Sequence, residues 1–299
     1  MFELQHELVN CWVIVMDVKI INVYNNEALP ARGLKSGHGE SFHITLGGKQ
    51  VLFDVGWKGS KLTHNMKMLG INADDIDMLV FSHGHRDHTG GLKSFIRART
   101  GETQMPIYAH PDALEPKIGK IWIFRIPMGL PRLKQELAER VQFKLSRTSV
   151  EVLPNLFVTG EIPIEERLEK PGIVKAAFHR VDGQWEWDSV IDDQSLVLQT
   201  GDGVVLMTGC CHAGLLNTCA KVARQFNSRI KAILGGTHML EYSEEDIEHV
   251  GEVLERVYGT PELYLNHCTG KEAIGKLRER FGSEIVHDCH VGTEIVFKA

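Results

Sequence analysis

The sequence predicts an α/β protein whose β-sheets are covered by helices. In the C-terminal third, short apolar segments alternate with amphipathic segments long enough to form helices, which is typical of sheets with helices packed on their faces. The predicted strands there are Ser195–Thr200, Val204–Met207, Ala232–Leu234 and Glu262–Leu265. The predicted helices are Leu215–Phe226, Ser243–Tyr258 and Gly270–Phe281. The composition of the 299 residues, 43% hydrophobic and 24% charged, is that of an ordinary globular protein.

The N-terminal part predicts further strands around a hairpin. Cys11–Val15 and Val18–Val23 are rich in β-branched residues, which favour strands. Ser41–Leu46 and Gln50–Asp54 are separated by Gly47-Gly48, a hairpin signal. The other elements predicted before residue 111 are a helix at Leu62–Leu69, a core strand at Met78–Phe81, a helix at Leu92–Arg99 and a strand that ends at His110.

Residues 117–147 differ from the rest of the chain in charge. They include eight basic and two acidic residues, although the whole chain has a net charge of −6. Two interpretations are open: a solvated surface, or a flap whose charge attracts an anionic, phosphorylated substrate. Around this segment we predict a helix at Arg132–Gln142, a strand at Val150–Thr159 and one arm of a hairpin at Trp185 to Trp187.

A cluster of metal-binding residue types follows the strand Met78–Phe81. His83, His85, Asp87 and His88 lie within six residues, in what we call the motif loop (83–88). Neutral imidazole and carboxylate are ligands that zinc and similar metals prefer. In an extended segment His83 and His85 point to the same side, and a turn at Asp87 and His88 can bring these two to a second point nearby. The loop thus offers ligand pairs for two metals; the alternative is a solvated histidine-rich loop.

Three more predicted strands run into a loop that carries a histidine. These histidines are His212, His238 and His267. Strands that run in the same direction in one sheet would deliver these side chains and the motif loop to one sheet edge, where the sites of open α/β sheets lie. The pattern therefore predicts a single site assembled from distant parts of the chain.

The motif loop resembles the HxHxDH motif of the metallo-β-lactamase superfamily. The segment Val51–Gly56 is similar to that superfamily's preceding strand, which ends in a buried aspartate, here Asp54. Five further strings resemble a subfamily of dihydropterin–ribofuranosylaminobenzene-phosphate synthase-like proteins, also described as metal-dependent hydrolases. They are GHGESF (37–42), TGEIP (159–163), TGCCHAG (208–214), GGTHM (235–239) and NHCTG (266–270).

The resemblance extends from about Val13 to Val296 and implies an architecture. We expect a four-layer αββα sandwich, the metallo-β-lactamase fold. It would form a single domain over residues 1–299, with a cap or flap inserted at about 111–190.

The resemblance and the strand ends together predict the metal ligands. We expect His83, His85 and His212 to bind one metal and Asp87, His88 and His267 to bind the other. The metal would be divalent, most readily zinc, with iron or manganese as alternatives. One or two ions are expected.

Four other residues are predicted near this site. Asp54 would orient a ligand histidine through its second ring nitrogen, or else cap a turn. His238 is expected to act in catalysis or contact substrate rather than bind metal. His38, in the GHGESF string, would face the substrate, or else lie exposed in a loop. Cys210 would bind metal or lie directly beside the ligands.

The sequence departs from the superfamily pattern at Thr208-Gly209-Cys210. The superfamily carries TGD at this place, and its aspartate bridges the two metals; the usual histidine about twenty residues earlier is also not evident. Either Cys210 binds metal as a thiolate or His212 supplies the missing contact. The alternative for Cys210 and Cys211 is packing as small apolar residues. Without the bridging aspartate, a site that holds a single metal is a further alternative.

These residues predict an enzyme of the metal-dependent hydrolase type with a small anionic substrate, in which Asp87 orients the attacking water. The substrate would be phosphorylated, or pterin-like as the resemblance implies. The subfamily resemblance implies an alternative, a pterin–arylamine condensation that displaces diphosphate. A non-catalytic sensor that binds a metabolite is a third hypothesis, and flavodiiron-type redox chemistry is disfavoured because the chain has no room for a flavin domain.

Charge and cysteine usage predict the surroundings of the protein. A net charge of −6 argues against a general nucleic-acid partner. No apolar run reaches the roughly 20 residues that span a membrane. Six cysteines without a CxxC pair suggest a reducing compartment, so we expect a cytoplasmic protein. The oligomeric state is not predicted.

Overall fold

The computed structural model describes residues 17–30, 32–101, 103–121, 124–165, 167–169 and 177–298. The predicted strand at Cys11–Val15 lies outside these residues. The strands are β1 (Asp17–Tyr24), β2 (Ser41–Leu46), β3 (Lys49–Phe53), β4 (Met78–Val80), β5 (Met105–Ala109), β6 (Lys117–Ile121), β7 (Phe124–Pro127), β8 (Val141–Leu145), β9 (Val150–Leu153), β10 (Leu156–Val158), β11 (Ala177–Val181), β12 (Gln184–Trp187), β13 (Leu196–Thr200), β14 (Gly203–Thr208), β15 (Ile230–Gly235), β16 (Glu262–Leu265), β17 (Val286–Asp288) and β18 (Glu294–Lys298). The helices are α1 (Gly59–Met68), α2 (Arg86–Thr89), α3 (Leu92–Ala98), α4 (Gln135–Ala138), α5 (Leu215–Phe226), α6 (Glu244–Arg256) and α7 (Lys271–Phe281).

Two seven-stranded sheets form the centre of the fold. The first has the strand order β18-β1-β2-β3-β4-β5-β8, and the second has the order β17-β16-β15-β14-β13-β10-β9. In each sheet a hairpin or meander of antiparallel strands leads into parallel strands, namely β3, β4, β5 and β8 in the first and β14 to β17 in the second. A third sheet of four strands, in the order β12-β11-β6-β7, comes from the middle of the chain.

The buried side chains show four layers. Between the large sheets lies one apolar core to which both contribute, as with Phe42 and Val51 from the first and Leu198 and Val205 from the second. A second core joins the outer face of the first sheet to α1 and α3, and a third joins the outer face of the second sheet to α5, α6 and α7. Every residue of β14 is buried, as expected for a central strand covered on both faces. The predicted αββα sandwich is confirmed.

The structure corrects two predicted elements in the middle of the chain. The predicted helix at Arg132–Gln142 is only one turn, α4, because Val141–Leu145 pairs in parallel with β5 as strand β8. The predicted strand at Val150–Thr159 is a hairpin, β9 and β10, whose turn places Asn155 at a φ of 66°. Long-range pairing in the first case, and turn chemistry in the second, override the local pattern.

No helix within the described ranges combines the length and apolarity needed to cross a membrane. The helices are instead amphipathic, with their apolar sides in the cores described above. The longest, α6, begins at Ser243 with a capping box in which the Ser243 side chain accepts from Asp246 N.

Glu169, which lies in the middle segment of the chain (residues 111–190), contacts the start of α5 and Tyr242, which precedes α6. Its buried carboxylate accepts hydrogen bonds from Leu216 N at the start of α5 (2.6 Å) and from the Tyr242 hydroxyl (2.8 Å). Burial raises the pKa of Glu169 to about 7, because the two bonds offset the loss of water only in part.

We expect Glu169→Gln to remove a pH-dependent loss of stability. The folded-state pKa of about 7 lies above the ordinary value of 4.5. The protonated acid therefore stabilises the fold fully below about pH 4.5, and this contribution, up to about 3 kcal/mol, is lost as the pH rises to about 7. Denaturant unfolding between about pH 5 and 8 should show a steeper loss of stability for the wild type than for the variant.

The matched control is Glu165→Gln. Glu165, which is partly exposed, pairs with Arg167 and Arg224, which hold its pKa to about 2, so its titration lies below the range tested. Its replacement should leave the slope unchanged. Parallel stability curves for the wild type and Glu169→Gln would contradict the raised pKa.

Candidate metal centre

The motif loop follows β4 in the first large sheet and contacts a residue that follows β14 in the second. His83 and His85 are buried, and their ring centroids lie 4.7 Å apart, so the two side chains do point to the same side. His212, which follows β14, places its ring centroid 4.9 Å from that of His83 and 5.2 Å from that of His85. One ring nitrogen from each of the three lies within 4.8 Å of the others; we call these residues the first donor set.

Two members of the first donor set, His83 and His212, have ring nitrogens that are free to bind a ligand. His83 Nε2 and both ring nitrogens of His212 are buried without a hydrogen-bond partner. Burial lowers the pKa of His83 and of His212 well below the usual value, and the neighbouring histidines lower both further. Buried polar atoms are rarely left unpaired, so this arrangement indicates a ligand.

A second donor set lies beside the first. It contains Asp87, His88, Cys210 and His267, whose donor atoms also lie within 4.8 Å of one another. His88 Nε2 is 3.1 Å from Cys210 Sγ, and His267 Nε2 is 3.4 Å from Asp87 Oδ2. The structure therefore brings together all six predicted metal ligands and adds Cys210 to them.

Asp54 and Ser82 fix the orientation of two of these histidines. Asp54 Oδ2 lies 2.6 Å from His88 Nδ1, while Asp54 Oδ1 accepts from Ser82 N (2.8 Å). Ser82 Oγ lies 2.9 Å from His83 Nδ1. The Nδ1 atoms are thus engaged, and the Nε2 atoms of His83 and His88 face the donor sets. Such contacts orient and strengthen ligand histidines.

Charge in the second donor set suits a cation. Burial alone would lower the pKa of His88, but the carboxylates of Asp54 and Asp87 outweigh it and raise the pKa to about 10. Burial alone would likewise raise the pKa of Asp87, but His88, His267 and His38 hold it well below its ordinary value. A positive charge is therefore stabilised here, and a metal would compete with the His88 proton for the place.

Comparison with known proteins identifies the family. A protein of Methanocaldococcus jannaschii named 7,8-dihydropterin-6-methyl-4-(beta-D-ribofuranosyl)-aminobenzene-5'-phosphate synthase is 30% identical over 272 residues, 88% of this chain and 90% of the relative. The crystal structure of Tm1679, described as a metal-dependent hydrolase of the β-lactamase superfamily, matches with a TM-score of 0.77 and 28% identity over 94% of this chain and 100% of that one. The chain belongs to the metallo-β-lactamase superfamily.

Two further similarities are weaker or shorter. A family profile described as "Anti-Pycsar protein Apyc1" matches residues 35–142, which include the motif loop. Exodeoxyribonuclease WalJ of Streptococcus pneumoniae is 20% identical over 270 residues, 87% of this chain and 88% of the relative. The proteins similar to this chain thus have names that describe different activities, and the substrate has to be argued from the site itself.

Cys210 lies in the string TGCCHAG, where the resemblance to the superfamily predicts the place of a bridging aspartate. It belongs to the second donor set, and it also forms a third group with His212 and His238 whose donor atoms lie within 4.8 Å. Both residues that were expected to replace the missing aspartate therefore lie at the site. His212 belongs to the first donor set, and Cys210 belongs to the second. Their roles as metal ligands stay predictions.

The two other predicted residues lie beside the donor sets. The ring centroids of His238 and His212 are 4.3 Å apart. His38 Nε2 lies 3.2 Å from Asp87 Oδ2, and just over half of the His38 side chain is exposed. The adjoining Gly39 has a φ of 121°, and a Cβ there would overlap the Asp87 carbonyl oxygen, which accounts for a glycine in the GHGESF string. Substrate contact by His38 stays a prediction.

One expectation drawn from the histidines at the strand ends was wrong. The four strand ends do not belong to one sheet: β4 lies in the first large sheet, and β14, β15 and β16 lie in the second. The site forms where the ends of both sheets meet. Sequence reasoning also missed three buried residues behind His85, namely Lys117, Asp188 and Asp192. The only signal was the Asp192-Asp193 pair before an apolar strand, which is weak.

Proposed function

We propose that this protein is a metal-dependent enzyme of the hydrolase type that acts on a small anionic substrate. The observation that carries the proposal is the pair of adjacent donor sets, which gathers imidazole, carboxylate and thiol groups from three separate loops. Zinc suits this mixture of donors, and iron and manganese are the alternatives.

The donor chemistry fits one or two divalent ions. His83, His85 and His212 would hold one ion, and Asp87, His88, Cys210 and His267 would hold the other. The buried and unpartnered nitrogens of His83 and His212 support this assignment, because such atoms reduce stability unless something binds them. A divalent metal there supplies a Lewis acid that polarises a substrate oxygen and activates water.

We assign the handling of the water proton to Asp87. His38, His88 and His267 all approach this carboxylate at Oδ2 and favour its ionised form. Asp87 Oδ1 then accepts the proton of the attacking water and orients it. His238, next to His212, is assigned to the leaving group, and the exposed His38 contacts the substrate.

Two observations favour an anionic substrate that carries phosphate. The name of the Methanocaldococcus jannaschii relative describes a phosphorylated product. Lys120, Arg125 and Arg132 in the basic segment are exposed, and cations of this kind attract anions toward a site. Lys117 of the same segment is buried and paired with aspartates, so it does not contribute.

A condensation of a pterin with an arylamine is the second candidate function. It is favoured by the 30% identity with a synthase over nearly the whole chain. The same residues serve both reactions up to the departure of the leaving group, because Asp87 can take a proton from an amine as well as from water.

Metal content and turnover test the proposal together. Protein purified without chelator should contain one to two equivalents of divalent metal, and a strong chelator should abolish turnover that added zinc, manganese or iron restores. The substrates are phosphomonoesters, phosphodiesters, carboxylic esters, lactones, and a pterin methyl diphosphate with and without an arylamine. Product formed without the amine identifies a hydrolase, and product formed only with it identifies the synthase. Full turnover by metal-free protein would overturn the proposal.

A further inference from the structure

The middle segment of the chain contacts the motif loop through three buried charged residues, here called the charged bridge. They are Lys117 at the start of β6, Asp188 directly after β12, and Asp192 before β13. Each is at most 3% exposed. Lys117 Nζ lies 3.1 Å from Asp188 Oδ2 and 3.0 Å from Asp192 Oδ1, so one ammonium group serves two carboxylates. Lysine and aspartate are rarely fully buried, because removing their charges from water costs free energy. A buried group of three such residues therefore indicates a functional role.

Asp188 contacts both the lysine and a residue of the first donor set. Asp188 Oδ2 lies 3.3 Å from His85 Nε2 and 3.1 Å from Lys117 Nζ. An ammonium group has only donors, so the carboxylate is the acceptor for the lysine and for the imidazole. The proton of the imidazole contact therefore resides on His85 Nε2. The lone pair is left on His85 Nδ1, in the ring that packs against His83 and His212.

Asp192 holds the backbone of the same loop. Its Oδ2 accepts a hydrogen bond from Gly84 N at 2.7 Å, between the two histidines His83 and His85. One carboxylate of the charged bridge thus orients a side chain of the motif loop, and the other fixes its main chain.

The turn that carries Asp188 is strained in a way that suits this task. Val190 has a φ of 52°, a left-handed conformation that is unfavourable for a β-branched residue. Val190 N donates to Asp188 Oδ1 at 3.0 Å, and Asp193 N donates to Val190 O. Strain of this kind persists where surrounding contacts over-determine the conformation, and it is concentrated at functional sites.

We infer that Asp188, held by Lys117, is a positioning residue that keeps His85 protonated at Nε2 and turns His85 Nδ1 toward the first donor set. The inference rests on the proposed function, since it assigns the middle segment a part in binding the first metal. Without this carboxylate the ring can rotate or change tautomer, and fewer of the molecules present Nδ1 to the ion.

The test compares Asp188→Asn and Asp188→Ala with the wild type. Dissociation constants for zinc are measured on metal-free protein by competition with a chromophoric chelator, and the visible spectrum is recorded with cobalt. We expect affinity at one site to fall about 10- to 100-fold, with the larger loss in the alanine variant, because the asparagine oxygen can still accept from His85 Nε2. The visible spectrum of the more tightly bound cobalt ion should change in both variants.

The control is Asp112→Asn, which changes a carboxylate of the same segment that pairs with half-exposed Arg147. It should bind zinc as the wild type does. Melting temperatures of the metal-free proteins show whether Asp188→Ala folds; if it does not, Asp188→Asn decides. Unchanged zinc affinity in a folded Asp188 variant overturns this inference alone. A wild-type protein that binds no zinc, manganese or iron overturns the proposed function, and this inference with it.

Discussion

Replacing His212 with alanine should remove one metal equivalent and nearly all turnover. His212 is the part of the first donor set that comes from the second sheet, and neither of its ring nitrogens has another partner. A metal contributes several kcal/mol to transition-state stabilisation, and about 4 kcal/mol corresponds to a 10³-fold change in rate. Elemental analysis and steady-state kinetics on the same preparation measure the two losses.

The control for this experiment is His64→Ala. His64 lies on α1, bonded to the Gly33 carbonyl oxygen and outside both donor sets, so metal content and turnover should match the wild type. A His212→Ala protein that keeps its full metal content and rate would show that the first donor set does not bind the ion.

Replacing Cys210 should change the second donor set selectively. Burial raises the pKa of the Cys210 thiol well above its usual range, so the thiol is neutral until a cation displaces its proton. We expect Cys210→Ser to retain the ion at the first donor set and to lose the second equivalent. Cys210→Asp should restore it and shift the preference toward manganese, because a carboxylate is a harder ligand than a thiolate.

Cobalt substitution distinguishes these outcomes. A thiolate ligand gives a charge-transfer band in the near ultraviolet that Cys210→Ser and Cys210→Asp should both lack. Cys219→Ser, a matched change at a buried cysteine on α5 outside the donor sets, should keep the band. Two equivalents of metal and an unaltered spectrum in Cys210→Ser would show that Cys210 is an apolar packing residue.

Many helices and strands of the fold were predictable from local sequence patterns. The helices at Leu215–Phe226 and Leu92–Ala98 agree with the sequence expectation to within a residue, since both have strong amphipathic periodicity. The hairpin at Gly47-Gly48 is also where the turn signal placed it. The errors were at Arg132–Gln142 and Val150–Thr159, where the outcome depends on a partner strand and on a turn residue.

The members of the donor sets were predictable where residue type and position in the sequence both indicated a metal ligand. Histidines at the ends of apolar strands, and an aspartate at the end of Val51–Phe53, marked the residues that the structure brings together. Nothing in the sequence marked Asp188 or Lys117, because a charged residue in a mixed segment reads as exposed. Asp188 and Lys117 are brought together because β11 pairs with β6, and β12 pairs with β11. This pairing joins residues that are far apart in the chain.

The sequence by itself determined which side chains are available for metal chemistry and that they follow strands, because side-chain type and strand periodicity are local properties. Only the tertiary structure decided that two facing sheets, rather than one, supply the donors, that Cys210 lies in the second donor set, and that a lysine with two aspartates lies behind His85. These are distances between residues far apart in the chain, and they are set by how the layers pack. The periodicity of a single segment does not contain them.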